Sequence, residues 1–493
     1  MSKKLETLLK NLSSNNAYPS ATINAITNDS RTVSKNTLFL AYPGAKSDGR
    51  AYIQQAIEKG ACAICYEPND FVLSKIIIPA IPIPDLKTKQ SLIAARFYDF
   101  PSKKIPIIGV TGTNGKTSVT YFIAALLQKM HCAIIGTTGY GFPPNLHKLI
   151  NTTPDGVQLQ KIFFELIAQD AKAIAMEVSS HALDQGRSND IQFHTAVFTN
   201  LTQDHLDYHE TMEKYRDAKE LLFQQDGLKN AVINIDDEAG KYFAKKYRNK
   251  LNVITYSANK VTTVRECADI FLISKQTTAH GFDLKIKLHS KIMDFHLPMI
   301  GEFNIENILA AIGAVSTIEN ADTTITASKD FLTVPGRMQL FQQGNSPTVV
   351  VDFAHTPDAL EKALKSIRTH CKGKLCCVFG CGGDRDKTKR PKMGKIADDW
   401  ADNVIITNDN PRNEDPMLIA KEVLSGAAHQ NKFDIILDRH AAIQHAIQQS
   451  KKNDWILVAG KGHETEQIIG NEKLHHDDAA SVKALLTRYC TSF

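Results

Sequence analysis

Residues 107–118, IIGVTGTNGKTS, run from an apolar stretch through a glycine loop into a helical pattern opened by Lys116 and Thr117. Such a turn is built for anions. Gly112 and Gly115 let the backbone approach phosphate oxygens, while successive N–H groups and the helix N-terminus supply positive potential. In a phosphate-binding loop the lysine reaches the terminal phosphates of a nucleotide, and the hydroxyl after it sits on Mg²⁺. The strict spacing asks for glycine at position 110, where Val110 stands. A chance Gly-Lys-Thr is the plain alternative, and the strand–loop–helix context argues against it.

Other ionisable side chains follow other apolar runs. AKAIAMEVSSHAL ends a strand pattern in Glu177, with Ser179, Ser180 and His181 behind it. A carboxylate at the carboxyl end of a strand beside a phosphate loop can hold Mg²⁺. TAVFTN leads into LTQDHLDYHETMEKYRDAKELLF, where His205 and His209, and again Tyr215 and Lys219, are spaced to share a helix face. Asp409-Asn410-Pro411-Arg412 follows NVIIT, placing a guanidinium at a strand's carboxyl end. Each taken alone has an ordinary structural explanation: a satisfied histidine, a solvated lysine, an Asn-Pro turn. Their clustering after strand ends argues for a site.

These residues need a scaffold of strands alternating with helices. IPIIGV, AKAIAMEVSS, TAVFTN and NAVINIDD, and later TVVVDFA, KLCCVFG, NVIITND, DIILD and DWILVAG, read as strands between helical patterns. That alternation predicts mostly parallel sheets covered on both faces. Proline-rich 76–85 and FPSKK at 100–104 read as linker edges, and Pro335-Gly336 as a second break. The 493 residues suit about three domains. The divisions expected are 1–100, 101–334 and 335–493.

Composition narrows the class. With 43% hydrophobic and 23% charged residues the chain is an ordinary globular protein. A net charge of +5 is too small to argue for a nucleic-acid or membrane surface. No apolar run reaches the roughly 18 residues of a membrane span, and the start lacks a signal peptide's apolar stretch. Nine cysteines fit reduced thiols in a cytoplasmic protein. Cys62 and Cys65 form a C-x-x-C, but strand alternation is expected to send them to opposite faces. Cys371, Cys376, Cys377 and Cys381 lack zinc spacing.

GVTGTNGKTS, MEVSSHAL, TNLTQDHLDYH, YRDAK, GEFNIEN, VPGRMQ, DFAHTPDAL, GCGGDRDKTKRP, DNPR and AGKGHE occur here in the order seen in the Mur ligases, and the chain resembles that family from about Asp29 to Glu464. The family's loop also accounts for Val110. Thr202 and Gln339 stand where serine and glutamate are more usual. The resemblance implies a three-domain α/β protein, with a smaller N-terminal UDP-sugar-binding domain, a central parallel-sheet P-loop ATPase domain and a Rossmann-like C-terminal domain that binds the amino acid. It implies ATP as cosubstrate and Mg²⁺ as cofactor. Gly112, Thr113, Asn114, Gly115, Lys116, Thr117 and Ser118, with Asn304, Asn307, Arg337, Asp352 and His355, match nucleotide positions. Thr117, Glu177, His205 and Lys219 match the metal set, Lys219 as a carbamate, and Lys116, Glu177, His205 and Lys219 the catalytic set. Asn28, Ser30, Ala45, Lys46, Ser47, Asn151, Thr152, Thr153, Ser179, Gln185 and Arg187 match the nucleotide-sugar-peptide site.

In the same resemblance Arg385, Asp409, Asn410, Pro411, Arg412, Gly460 and Glu464 match the amino-acid site, and the DNPR arginine implies diaminopimelate. A guanidinium fork meets its extra carboxylate with two hydrogen bonds. The activity implied is ATP-dependent addition of meso-diaminopimelate to UDP-N-acetylmuramoyl-L-Ala-D-Glu through an acyl phosphate. It belongs to peptidoglycan precursor synthesis, and with it wall growth, cell shape and division. A monomer with no nucleic-acid partner is expected. Arg412 argues against a lysine-adding relative and the NDSR segment against a folate-polyglutamylating one. A motor-type ATPase would leave Arg385, Arg412 and Glu464 unexplained, and a non-catalytic nucleotide-sugar binder would not need Lys116, Glu177 and Lys219 together.

Overall fold

The computed structural model describes residues 1–12, 18–44, 47–259, 261, 266–278, 280–319 and 334–491. Contacts divide the chain into two units, 1–271 with 307–330, and 272–306 with 331–493.

In the first unit, Ala25–Thr27, Thr37–Ala41, Ala61–Tyr66 and Ala80–Pro82 form a four-stranded parallel sheet in chain order. Helix Leu86–Phe97 buries Leu86, Ile93, Ala94 and Phe97 beneath it. Two expectations are corrected here. The proline-rich stretch at 76–85 supplies the sheet's edge strand, where a ladder can tolerate Pro82. A register shift between Ala61 and Ala63 breaks the alternation, so Cys62 and Cys65 contact the same core cluster, as free thiols. Helix Leu86–Phe97 meets helix Gly156–Ala168 at Gly156, where a Cβ would lie 2.6 Å from that of Ser91.

The larger sheet of this unit runs Asn145–His147, Gly139–Phe142, Cys132–Gly136, Ala173–Glu177, Ile107–Thr111, Phe193–Phe198, Asn230–Asn234, Asn252–Ser257. All pairs from Cys132–Gly136 onward are parallel, and the hairpin at the first edge is antiparallel. Ile107, Ile174, Met176, Phe193, Phe198 and Ile233 share one core face with Leu159, Ile162 and Phe163 of helix Gly156–Ala168. On the other face helix Phe303–Ser316 approaches through Gly313, whose Cβ would stand 2.7 Å from Val232. Ile107–Thr111 lies between strands reached by crossovers on opposite sides, and such a switch point opens a crevice at the strands' carboxyl ends.

Ile270–Thr277 starts beside Asn252–Ser257 and leads into the second unit. There Phe282–Leu288 and Lys291–Leu297 pair as an antiparallel hairpin with alternating burial. The expected parallel pattern did not include this hairpin, although FDLKIKL carries its period of two. The unit's main sheet runs Gln339–Phe341, Thr348–Asp352, Trp455–Ala459, Leu375–Phe379, Asn403–Ile406, Phe433–Ile435, parallel except at Gln339–Phe341. Separate apolar clusters cover its two faces. Thr356, Asp415 and Asp438 cap three of its helices through side-chain oxygens.

The Arg439–Asp478 ion pair of this unit is fully buried on both sides. Arg439 Nε and Nη2 donate to Asp478 at 2.8 and 2.7 Å, and Nη2 also reaches Ala459 O at 2.9 Å. Burial alone would raise the Asp478 carboxyl, but Arg439 and His476 hold it well below the usual carboxylate range. Its contribution to stability is therefore full above the unfolded carboxyl's pKa, near 3.8, and is lost as pH falls through the lower folded value. Asp478→Ala is expected to cost about 3–5 kcal/mol, because it strands a buried guanidinium. Denaturant unfolding at pH 7 checks it.

Candidate active site

The loop after Ile107–Thr111 is tied down from the neighbouring strand end. Thr113 N donates to Asn200 O at 2.8 Å, Asn114 N to Asn200 Oδ1 at 2.9 Å, and Thr199 Oγ1 to Asn114 O at 2.6 Å. Gly112 has φ +147°, and a Cβ there would lie 1.9 Å from Thr199 Oγ1. Gly115 caps helix Lys116–Leu126 at φ +88°, with Asn307 Oδ1 2.3 Å from where its Cβ would be. Lys116 Nζ folds back onto the carbonyls of Gly112 at 2.8 Å and Thr113 at 2.9 Å. Ser118 is buried in the first helical turn. The result is a backbone nest with an ammonium at its rim, suited to a polyphosphate.

Glu177 ends the adjacent strand, 1% exposed. Its Oε1 accepts from Thr117 Oγ1 at 3.0 Å and Thr137 N at 2.8 Å, and its Oε2 accepts from Thr137 Oγ1 at 3.2 Å. At Gly136 a Cβ would stand 2.2 Å from Glu177 Oε1. Thr137, absent from the sequence reading, is thus a main support of this carboxylate, and only the fold brings it there.

Lys219 is on helix Met212–Glu220, 1% exposed, with Nζ 4.2 Å from the Tyr215 ring centroid, as the spacing of the two residues predicted. Burial, then the charge of Lys116, pushes its amine well below the ordinary lysine range. Among the described residues no hydrogen bond or ion pair to a carboxylate joins it. A neutral amine is the reactive form of lysine.

The shared helix face expected for His205 and His209 is corrected. Helix Leu206–His209 is a single turn, and His205 precedes it at φ +52°. His209 is buried on Ser180 Oγ at 2.9 Å, while His205 stays half-exposed beside Asp204. His181 touches both rings, at centroid distances of 4.9 Å to His205 and 5.3 Å to His209. Burial lowers the pKa of all three, and mutual repulsion or nearby Lys219 lowers it further.

Thr153 Oγ1 donates to Glu177 O at 2.9 Å and accepts from Ser179 N at 3.1 Å, linking the NTTPDG turn to the same strand end. Thr152 Oγ1 is 3.1 Å from Thr137 Oγ1. Arg187 donates to Thr153 O at 3.2 Å and to Gln185 Oε1 at 3.0 Å. Asn151 is exposed on the turn. In the N-terminal sheet, Asn28 donates to Tyr42 OH at 2.8 Å and Gln90 Oε1 at 3.1 Å, and Ser30 Oγ to Gln55 Oε1 at 2.7 Å. Gly44 N donates to Ser47 O at 2.9 Å. Ala45 and Lys46 lie outside the described residues.

The second unit holds the other expected residues in two groups. Asp352 is buried, accepting from Met338 N at 2.7 Å and Ala354 N at 2.8 Å, and burial raises its pKa. Arg337 lies over the Phe353 ring at 4.8 Å, and His355 and His463 contact the same ring. Gly336, at φ +63°, abuts the backbone of Gly462 and His463 too closely for a Cβ. Asn304 is buried and donates to Ile300 O at 2.8 Å.

In the other group Arg412 sits at φ +51°, donates from Nη1 to Gly383 O at 2.7 Å, and is pinned by Arg412 N to Ile468 O at 3.1 Å and Gly470 N to Arg412 O at 2.7 Å. Gly382 lies against both Arg412 and exposed Arg385. Asp409, Asn410 and Pro411 are buried, Gly460 has φ +114° beside Asp409, and Glu464 accepts from Asn410 Nδ2 at 3.1 Å.

A phosphate nest and a buried carboxylate at the switch point of a parallel sheet, with a second Rossmann-like unit in the same chain, define a nucleotide-using α/β enzyme. Family models match in order along the chain: Mur ligase family, catalytic domain at 22–98, Mur ligase middle domain at 110–315, and Mur ligase, glutamate ligase domain at 336–462. This chain belongs to the Mur ligase family, and it is a ligase with that family's three-domain layout.

A protein of Coxiella burnetii named UDP-N-acetylmuramoyl-L-alanyl-D-glutamate–2,6-diaminopimelate ligase is 47% identical over 94% of this chain and 96% of its own. One of the same name from Pseudomonas putida is 40% identical over 95% of each. A solved structure bearing that name is 34% identical, covers 95% of both chains and has a TM-score of 0.69. A MurF structure from Acinetobacter baumannii matches at TM-score 0.69 over 93% of this chain and 96% of its own with 16% identity, a likeness of fold.

Gly136→Ala is expected to displace the Glu177 carboxylate and lower kcat by about 100-fold, the cost of roughly an ångström of misplacement. Steady-state kinetics beside a thermal melt separate this from unfolding.

Proposed function

We propose that this protein joins meso-diaminopimelate to the D-glutamate γ-carboxylate of UDP-N-acetylmuramoyl-L-Ala-D-Glu, with ATP giving ADP and phosphate. The observation that carries the choice of amino acid is Arg412, held in a left-handed backbone conformation with Arg385 beside it across Gly382. Two arginines that follow neighbouring parallel strands, Leu375–Phe379 and Asn403–Ile406, suit a second carboxylate, which lysine lacks. The full-length likeness to relatives of that name supports the same reading.

The chain divides by function at 1–100 for the nucleotide sugar, 101–334 for ATP and 335–493 for the amino acid. It acts as a cytoplasmic monomer; among the described residues no helix is long and apolar enough to cross a membrane.

A carboxylate is a poor electrophile because oxide is a poor leaving group. Transfer of the γ-phosphoryl group makes an acyl phosphate. The amine then forms the C–N bond and phosphate leaves with the C–O bonding pair. Backbone N–H groups of Gly115, Lys116 and Thr117, at the start of helix Lys116–Leu126, hold the polyphosphate, with Ser118 behind them, and Lys116 swings from its carbonyl partners onto the transferring group. Asn304, Asn307, Arg337, Asp352 and His355 are proposed as further nucleotide contacts. Asn151, Thr152, Thr153, Ser179, Gln185 and Arg187 orient the peptidyl carboxylate. Asn28, Ser30, Ala45, Lys46 and Ser47 hold the uridine end.

Among the described residues no three His, Cys, Asp or Glu side chains form a ready-made ion site. The donor set nevertheless fits Mg²⁺. Glu177 presents a carboxylate and Thr117 a hydroxyl, the oxygen donors that Mg²⁺ takes, while burial lowers the pKa of the His205 imidazole. Lys219, as a neutral amine, can take up CO₂ and become an oxygen-donating carbamate. When bound, Mg²⁺ supplies positive charge that screens the phosphate and carboxylate anions.

Phosphate release with ATP, Mg²⁺ and the UDP-muramoyl dipeptide tests the reading, run with meso-diaminopimelate, with L-lysine and with no amino acid. Release dependent on diaminopimelate, with the tripeptide nucleotide seen by mass, is expected. Equal release in every tube would point to a plain ATPase. Arg412→Ala should erode the preference for diaminopimelate over lysine by up to about 10⁴-fold, the scale for losing a required polar partner. Lys219→Ala should abolish ligation, with partial recovery on adding short carboxylates. Full activity in that variant would remove the carbamate from the mechanism.

A further inference from the structure

Lys461 is a fully buried lysine that the mechanism above does not use. It follows strand Trp455–Ala459 and Gly460. Its Nζ donates to Asn410 Oδ1 at 3.2 Å and to Glu464 Oε2 at 2.9 Å, and lies 3.8 Å from Asp409 Oδ1. A buried ammonium persists only where partners replace its water. Here every partner belongs to the proposed amino-acid site.

The bonding around it is directional. Asn410, expected as a ligand contact, turns its amide inward: Nδ2 goes to Glu464 Oε2 at 3.1 Å, while Oδ1 takes Lys461 Nζ and Ile468 N, the latter at 2.9 Å. Asn410 is thus a brace. Both bonds reaching Glu464 from this brace fall on Oε2, and its side chain remains 36% exposed. Lys461 thus engages Asp409 and the Oε2 side of Glu464. Among the described residues no hydrogen bond reaches Glu464 Oε1, and a carboxylate oxygen suits an ammonium.

We propose that Lys461 is a positioning residue for amino-acid binding, fixing Glu464 through Oε2 and Asn410 so that its other oxygen meets an ammonium of the incoming diamino acid. This rests on the diaminopimelate reading above.

The test is kinetics on the intact enzyme with Lys461→Met, Glu464→Gln and the double variant. KM is measured separately for meso-diaminopimelate, ATP and the UDP-muramoyl dipeptide, with a thermal melt of each protein. Lys461→Met is expected to raise KM for diaminopimelate at least tenfold, roughly the worth of a charge-assisted hydrogen bond. The other two KM values should stay within about threefold, and the Lys461→Met effect should largely vanish in the Glu464→Gln background, as coupled residues require. A uniform rise in all three KM values, or additive effects in the double variant, would mean a merely structural lysine and overturn the proposal. So would an unchanged KM for diaminopimelate. If Lys461→Met does not fold, Lys461→Gln, which keeps a donor without the charge, carries the same comparison. Absence of diaminopimelate-dependent turnover in the unaltered enzyme would instead overturn the functional reading.

Discussion

Parallel pairing lines up three strand ends. Val110 sits opposite Glu177 on one side and Val197 on the other, so Ile107–Thr111, Ala173–Glu177 and Phe193–Phe198 finish within about a residue of each other. A slip of one residue would turn Glu177 into the other face of the sheet. It would also part Thr113 from Asn200 and Thr117 from Glu177, two contacts that tie neighbouring strand ends together. Mostly buried, mostly apolar residues fix that register, with His194 the one position of the three strands that is not fully buried. The chemistry at their ends is positioned by side chains that never touch it.

Burial then sets the charge states. The same low-dielectric surroundings push the Lys219 amine down and the Asp352 carboxyl up, both toward neutrality. Asp478 goes the other way because Arg439 faces it directly. Which direction wins depends on whether a partner came into the interior with the group. Lys461 entered with three partners and Lys219 with an aromatic ring. One is thereby suited to hold still and the other to react.

Much of this was legible in the chain. The loop at 107–118 announces itself because glycines, lysine and threonine must be contiguous to make the turn, and every strand quoted from the sequence exists. Glu177 and Arg412 were readable as polar residues closing apolar runs. What escaped has a common cause. Thr137, Asn200 and Lys461 act on residues 40, 86 and 51 positions away, so no local spacing marks them. The histidine pair misled because a four-residue spacing says nothing of how long a helix lasts. Cys62 misled because one bulge cancels an alternation. The Phe282–Leu288 hairpin is written in alternating residues, a signal that the mostly parallel expectation did not take in.

The Arg439–Asp478 pair has a further consequence, in time. The two residues are 39 positions apart, and synthesis at about 5–20 residues per second places the arginine in the growing chain roughly 2–8 s before its carboxylate exists. During that interval strand Trp455–Ala459, whose last carbonyl the same guanidinium holds, is made but cannot be locked against a neutralised partner. Closure of the second unit's sheet around this guanidinium therefore waits on chain made well after its central strand.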